Sequence, residues 1–175
     1  MYTGEFIIDA LTESIIEVST GRKMETMVLP VAHSDLKTVL KKNAWKFDWK
    51  KEFKIADNQL YLLKTVEQDN RIQGLISCIP QVGSNFIHMS LIENAPHNFG
   101  SGKQYSGVPG NLVAFVCKMS FELGWEGCVG FIAKTKLIEH YRRELGAEVL
   151  RGNRMQINTQ NAMKLVNLYF KNYHV

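Results

Sequence analysis

The 175-residue chain has no apolar run long enough to span a bilayer, which excludes a protein anchored by membrane helices. Residues 1–5 lack a basic segment leading into an apolar one, so no export signal is read there and the expected location is cytoplasmic. Cysteine is scarce. Cys78, Cys117 and Cys128 are odd in number, lack paired metal-type spacing and sit inside apolar stretches, so they read as buried free thiols ahead of a nucleophile. Repeats, low-complexity tracts and Pro/Gly/Ser linkers are missing too, so residues 1–175 are read as one domain.

What is present is the balance of a soluble globular protein, 45% hydrophobic and 22% charged, enough to bury one core without disulfides or metal. The net charge of +4 suits an anionic ligand, yet the basic residues are scattered. Their densest patch, residues 41–51, interleaves Lys41, Lys42, Lys50 and Lys51 with Trp45, Phe47 and Trp49. An amphipathic segment with buried aromatics and solvated lysines is the favoured reading there, and a nucleic-acid or protein-binding surface is the alternative.

Alternating or continuous apolar patterns predict strands over residues 14–18, 25–29, 60–66, 74–79 and 86–92, the first two flanking a turn at 20–22 and the last three forming a meander. Ser34 reads as the cap of a helix over residues 35–42. Leu112, Phe115, Val116, Met119 and Leu123 then recur at helical spacing and stop at Gly124. A strand over 128–133, a Thr135-capped helix over 136–145, a hairpin over 147–158 and a Thr159-capped helix complete the chain. Strand, helix, strand in the second half implies a parallel pair with a right-handed crossover, and the class is α+β.

The turn at residues 104–111, Gln-Tyr-Ser-Gly-Val-Pro-Gly-Asn, joins a strand to the N-terminus of the best-defined helix. Glycines allow a path that points several N–H groups at one place beside the positive helix end, where a diphosphate would fit. Taken alone, such a turn is more often structural punctuation. From the residues alone, Tyr141 reads as a half-buried packing residue and Glu93 as a surface carboxylate at a strand end. His88 would face away from Ile87 and Met89 on its strand. No His/Cys/carboxylate cluster has metal-ligand spacing.

The order meander, glycine-rich turn, helix, parallel strand and tyrosine-bearing helix resembles the GNAT superfamily of N-acetyltransferases. The resemblance covers residues 86–157 well and the N-terminal third loosely. Gln104, Tyr105, Ser106, Gly107, Val108 and Pro109 align with the family's Q/R-x-x-G-x-G/A turn, with Pro109 in place of the last small residue and Gly110 next to it. Tyr141 aligns with the family tyrosine, Ala147 stands where Phe is usual, and Lys134 where Asn is frequent. The resemblance implies the acyl-CoA N-acyltransferase fold: a mixed, mostly antiparallel sheet whose central parallel pair splays at the cofactor site, with helices on both faces. It also implies acetyl-CoA or another acyl-CoA as co-substrate, no metal, and an amine acceptor that is a small molecule or a protein. Gln104, Tyr105, Gly107, Val108, Pro109, Gly110 and Asn111 would hold the diphosphate, Leu91 and Ile92 the pantetheine, and Lys134 and Arg142, with Arg143, the phosphates. Tyr141 would be the general acid and Glu93 or a water the base, residues 95–103 forming part of the substrate entrance. A CoA-binding module without turnover is the alternative within the same fold, and a homodimer is one open assembly state.

Overall fold

A computed structural model describes residues 15–67, 70–171 and 173. Ser14 of the first expected strand, residues 1–5, and Gln68 and Asp69 of the connector between the first two meander strands lie outside the described residues. The elements run β1 (Ile15–Glu17), β2 (Lys23–Met24), β3 (Thr26–Pro30), α1 (Trp49–Phe53), β4 (Gln59–Thr65), β5 (Gly74–Gln81), β6 (Phe86–Asn94), β7 (Tyr105–Ser106), α2 (Val108–Glu122), β8 (Val129–Ile132), α3 (Ile138–Leu145), β9 (Glu148–Arg151), β10 (Arg154–Ile157) and α4 (Thr159–Tyr169). A seven-stranded sheet has the order β3-β4-β5-β6-β8-β10-β9, antiparallel throughout except for β6 against β8. The mixed α+β sheet with one central parallel pair is therefore present.

Two apolar clusters cover the sheet's faces. On one, Ile87, Met89 and Ile92 of β6 meet Val108, Leu112, Val113 and Val116 of α2. On the other, Leu75 and Leu91 meet Leu36, Val39, Trp45 and Trp49. Met89 and Leu91 would share a face on a regular strand. They do not because the register slips: Ser77 pairs with Leu91 and Cys78 with Met89, leaving Ser90 as a one-residue bulge.

The N-terminal third departs from the sequence reading. Residues 14–18 and 25–29 do not form one hairpin; β1 pairs with β2 and with β7 in a separate three-stranded sheet, while β3 is the edge of the large one. Pro30 ends β3 opposite Tyr61, acceptable because an edge strand needs no N–H on its outer side. The expected helix over 35–42 is replaced by two 3-10 turns, His33–Lys37 and Lys41–Asn43. Leu40 is extended at φ −133°, and so short a run cannot repay helix nucleation, whereas the broken path buries Leu36, Val39 and Trp45. The cap is also different: Asp35 Oδ2 accepts from Ala32 N at 2.8 Å, and Ser34 caps nothing. Thr135 opens a further 3-10 turn ahead of α3, and α4 is capped by Asn158, whose Oδ1 accepts from Asn161 N at 2.9 Å.

Within residues 41–51, Trp45 and Trp49 are core while Lys41, Lys42, Lys46 and Lys51 are exposed, the amphipathic arrangement. Among the described residues no helix is long and apolar enough to cross a membrane.

Candidate functional site

The parallel pair is short. β6 is in register with β8 only at Ile87 with Val129 and His88 with Gly130, so the edge of β6 from Met89 to Asn94 runs on without a β8 partner. Backbone donors and acceptors along such a gap are open to an extended ligand. Leu91 and Ile92 lie on this stretch.

At the same end of the sheet stands the N-terminus of α2. Gly107 takes φ +87°, the left-handed conformation at the N-cap that glycine adopts without strain, and Pro109 sits in the first turn. Asn111 N donates to Gly107 O at 3.1 Å, while the N–H groups of Val108 and Gly110 find no acceptor among the described residues. First-turn amides point out of the helix end and attract anions. A Cβ on Gly74 would lie 2.7 Å from Val108 Cγ1, so this turn presses directly on the start of β5.

The residues before Gly107 are committed to the protein itself. Gln104 N donates to His97 O at 2.9 Å, Gln104 O accepts from Val18 N at 2.9 Å, and Gln104 Oε1 accepts from Arg71 Nη2 at 2.6 Å. Tyr105 is buried and its N–H donates to Asn98 Oδ1 at 3.0 Å. That bond orients a buried relay. Because Tyr105 N–H can only donate, Asn98 presents Oδ1 to it and turns Nδ2 to Gln73, 3.0 Å from its O and 3.1 Å from its Oε1. Gln73 Oε1 is thus an acceptor, and His97, 2.7 Å away, donates to it from Nε2. Sequence reading missed Gln73 and Asn98, since isolated amides in connectors carry no periodic signal.

Tyr141 is fully buried on α3, its ring edge-on to Phe131 of β8 with centroids 5.3 Å apart. It thereby belongs to the strand across the gap. Glu93, 4% exposed, faces the other side of the sheet: Lys46 N and Trp49 Nε1 donate to its two oxygens at 2.6 and 2.7 Å, and Phe47 N at 3.4 Å. Arg142 pairs with Glu139 at 2.8 Å on the exposed side of α3, and Arg143 with Glu144 at 2.8 Å, so neither is held at the α2 turn by a described contact. Lys134 directly precedes the 3-10 turn that leads into α3.

Among the described residues two side-chain amide oxygens are buried without a hydrogen-bond partner, Asn94 Oδ1 and Asn111 Oδ1. Asn111 Nδ2 is tied to Thr26 Oγ1 at 3.1 Å. Burial raises the thiol of Cys78 to about 12 and lifts that of Cys117 as well, which leaves both inert as nucleophiles. The pKa of His88 is shifted down by burial and then by the Arg154 charge. No group of metal-ligating side chains occurs among the described residues.

A cavity of about 530 Å³ opens on the Glu93 side of the sheet, between the 3-10 turns and the ends of β4 and β6. Val39, Trp45 and Ala95 give it an apolar wall; Asp35, Lys64, Arg71 and His97 give it charge and polarity.

The sequence matches no protein-family model and no curated protein. Solved structures do match. A mutant spermidine/spermine N-acetyltransferase from Vibrio cholerae superposes with a TM-score of 0.55 at 13% identity over 80% of this chain and 98% of that one. The spermidine N-acetyltransferase of Vibrio cholerae in complex with CoA and spermine gives 0.56 at 13% identity over 79% and 98%, and its dodecameric form 0.55 at 14% over 78% and 95%. Identities this low establish a shared fold. The chain has the mixed-sheet architecture of the GNAT acetyltransferases.

Proposed function

We propose that this protein is an acyl-CoA dependent N-acyltransferase. The observation that carries the reading is the gap between β6 and β8 opening beside a glycine-led helix N-terminus with unused N–H groups. The parts fit an acyl-CoA. Gly107, Val108, Gly110 and the α2 dipole would hold the diphosphate, and the free edge of β6 at Leu91 and Ile92 would hold the pantetheine. Pro109 supplies no N–H, which leaves two amides rather than three in that turn. Gln104 and Tyr105 support the turn from behind.

An acyl-CoA contributes the activated acyl group as a thioester. Tyr141, packed on the strand across the gap, gives its hydroxyl proton to the departing sulfur. Glu93 is already the acceptor of three N–H groups, so the amine's proton goes to water, and Glu93 instead holds the 46–49 segment against the strand end. The acceptor enters through the 530 Å³ cavity. Although a similar structure carries spermine, Lys64 and Arg71 outnumber Asp35 in this lining and oppose a polycation. A small amine bearing an anionic group suits the cavity better.

Titration with acetyl-CoA tests the first claim, and absence of binding at millimolar ligand would sink it. With an amino acid as acceptor, turnover should exceed that with its amide or with spermine. Tyr141→Phe should lower kcat about 100-fold while leaving the KM for acetyl-CoA nearly unchanged. Unchanged kcat would remove Tyr141 from the chemistry.

A further inference from the structure

Asn94 is the last residue of β6 and pairs with Gly74 of β5. Paired residues of an antiparallel ladder point to the same face, and the Cβ direction of Gly74 meets Val108 and Leu112 of α2. The side chain of Asn94 therefore lies on the α2 side, beside the first helical turn and at the open end of the gap. Its Oδ1 is buried and has no hydrogen-bond partner, and no described contact uses its amide nitrogen. Leaving a buried amide oxygen unpaired costs about 1–3 kcal/mol, which a protein tolerates where a ligand or an ordered water repays it.

We propose that Asn94 is a specificity residue for the pantetheine arm of the acyl-CoA, its side-chain amide pairing with a pantetheine amide; this rests on the acyl-CoA reading above. An amide group is the complementary partner for either orientation of the Asn94 side chain, since it offers both N–H and C=O. The diphosphate is held elsewhere, by the backbone of α2. Asn111, the other orphan, serves as the internal contrast. Its Nδ2 is tied to Thr26 on β3, on the side of β5 away from β6 and hence away from the gap.

The test compares free CoA with adenosine 3′,5′-bisphosphate, which lacks pantetheine, by calorimetric titration of wild type and Asn94→Leu. Affinity for CoA should fall about 3–10-fold while affinity for the bisphosphate stays constant, the loss expected for one hydrogen bond. The ligand-free variant should melt about 2–4 °C higher than wild type, because an unpaired buried acceptor has been replaced by carbon. A merely structural residue would show the opposite shift. Should the leucine variant be insoluble, Asn94→Ala reports the same ratio of CoA to bisphosphate affinity. An unchanged CoA affinity, or an equal loss for both ligands, overturns the proposal and assigns the orphan to a bound water. If wild type binds neither ligand at millimolar concentration, the acyl-CoA reading falls and takes this inference with it, an outcome distinct from CoA binding that ignores Asn94.

Discussion

Glu93 and Asn94 are consecutive on one strand, face opposite sides of the sheet and live in opposite circumstances. The carboxylate of Glu93 accepts from Lys46 N, Phe47 N and Trp49 Nε1, stitching the only segment rich in lysine and tryptophan onto the strand end. The amide oxygen of Asn94 accepts from nothing. A charged group out of water must be satisfied at once by the fold, whereas a neutral amide can wait for a ligand at a tolerable cost. The contrast sets a fully satisfied acceptor on one side of the strand end against an unsatisfied one on the other.

The contrast breaks most visibly at Glu93. Glu93→Ala strands the buried indole N–H and two backbone donors, so chemical denaturation should show a loss of roughly 2–4 kcal/mol. A loss under about 0.5 kcal/mol, no larger than an ordinary surface substitution gives, would mean that the segment docks without the carboxylate. Gly74→Ala probes the Asn94 side. Its new Cβ would meet Val108 Cγ1 at 2.7 Å, and forcing the α2 turn aside should cost about 1–3 kcal/mol and weaken acetyl-CoA binding. If acetyl-CoA affinity survives that displacement, the turn is not the diphosphate cradle. The smallest effect is expected at His88, on the half of β6 that stays paired with β8. Its pKa is lowered in the folded protein, so the stability it contributes is present above the ordinary histidine value of about 6.5 and is lost as pH falls through the folded value. Thermal melts from pH 7.5 to 5 should be steeper for wild type than for His88→Gln. Parallel curves would show that His88 titrates as it does in the unfolded chain.

Part of the fold around the α2 turn was legible because local chemistry announces it. Gly124 marks the end of α2 at φ +78°, where it was read, but the helix expected behind Pro109, Gly110 and Asn111 begins at Val108, because Pro109 is tolerated in a first turn and extends it back to Gly107. The facing of His88 away from Ile87 and Met89 followed from strand alternation. Alternation then failed two residues later. The bulge at Ser90 reverses the parity, and nothing in the identity of a serine signals that an extra residue has been accommodated there. The N-terminal strands failed for another reason: β1 is stabilised by β7, about ninety residues away in sequence, a partner that no local window contains.

The sequence by itself determined the order of meander, helix, strand, helix, hairpin and helix from β4 onward, the end of α2 at Gly124, and the division of residues 41–51 into buried rings and solvated lysines. Propensity, backbone freedom at glycine and side-chain polarity are carried by each residue wherever it goes. Only the tertiary structure decided which polar groups are satisfied. Glu93, read as a base or a surface carboxylate, is buried and accepts three N–H groups; the backbone of Gln104 and Tyr105 is held by His97 and Asn98; Asn94 stood at a strand end without a role and its Oδ1 is left unpaired. Hydrogen-bond satisfaction depends on where partners from distant segments arrive, and that is set by packing rather than by any residue's own chemistry.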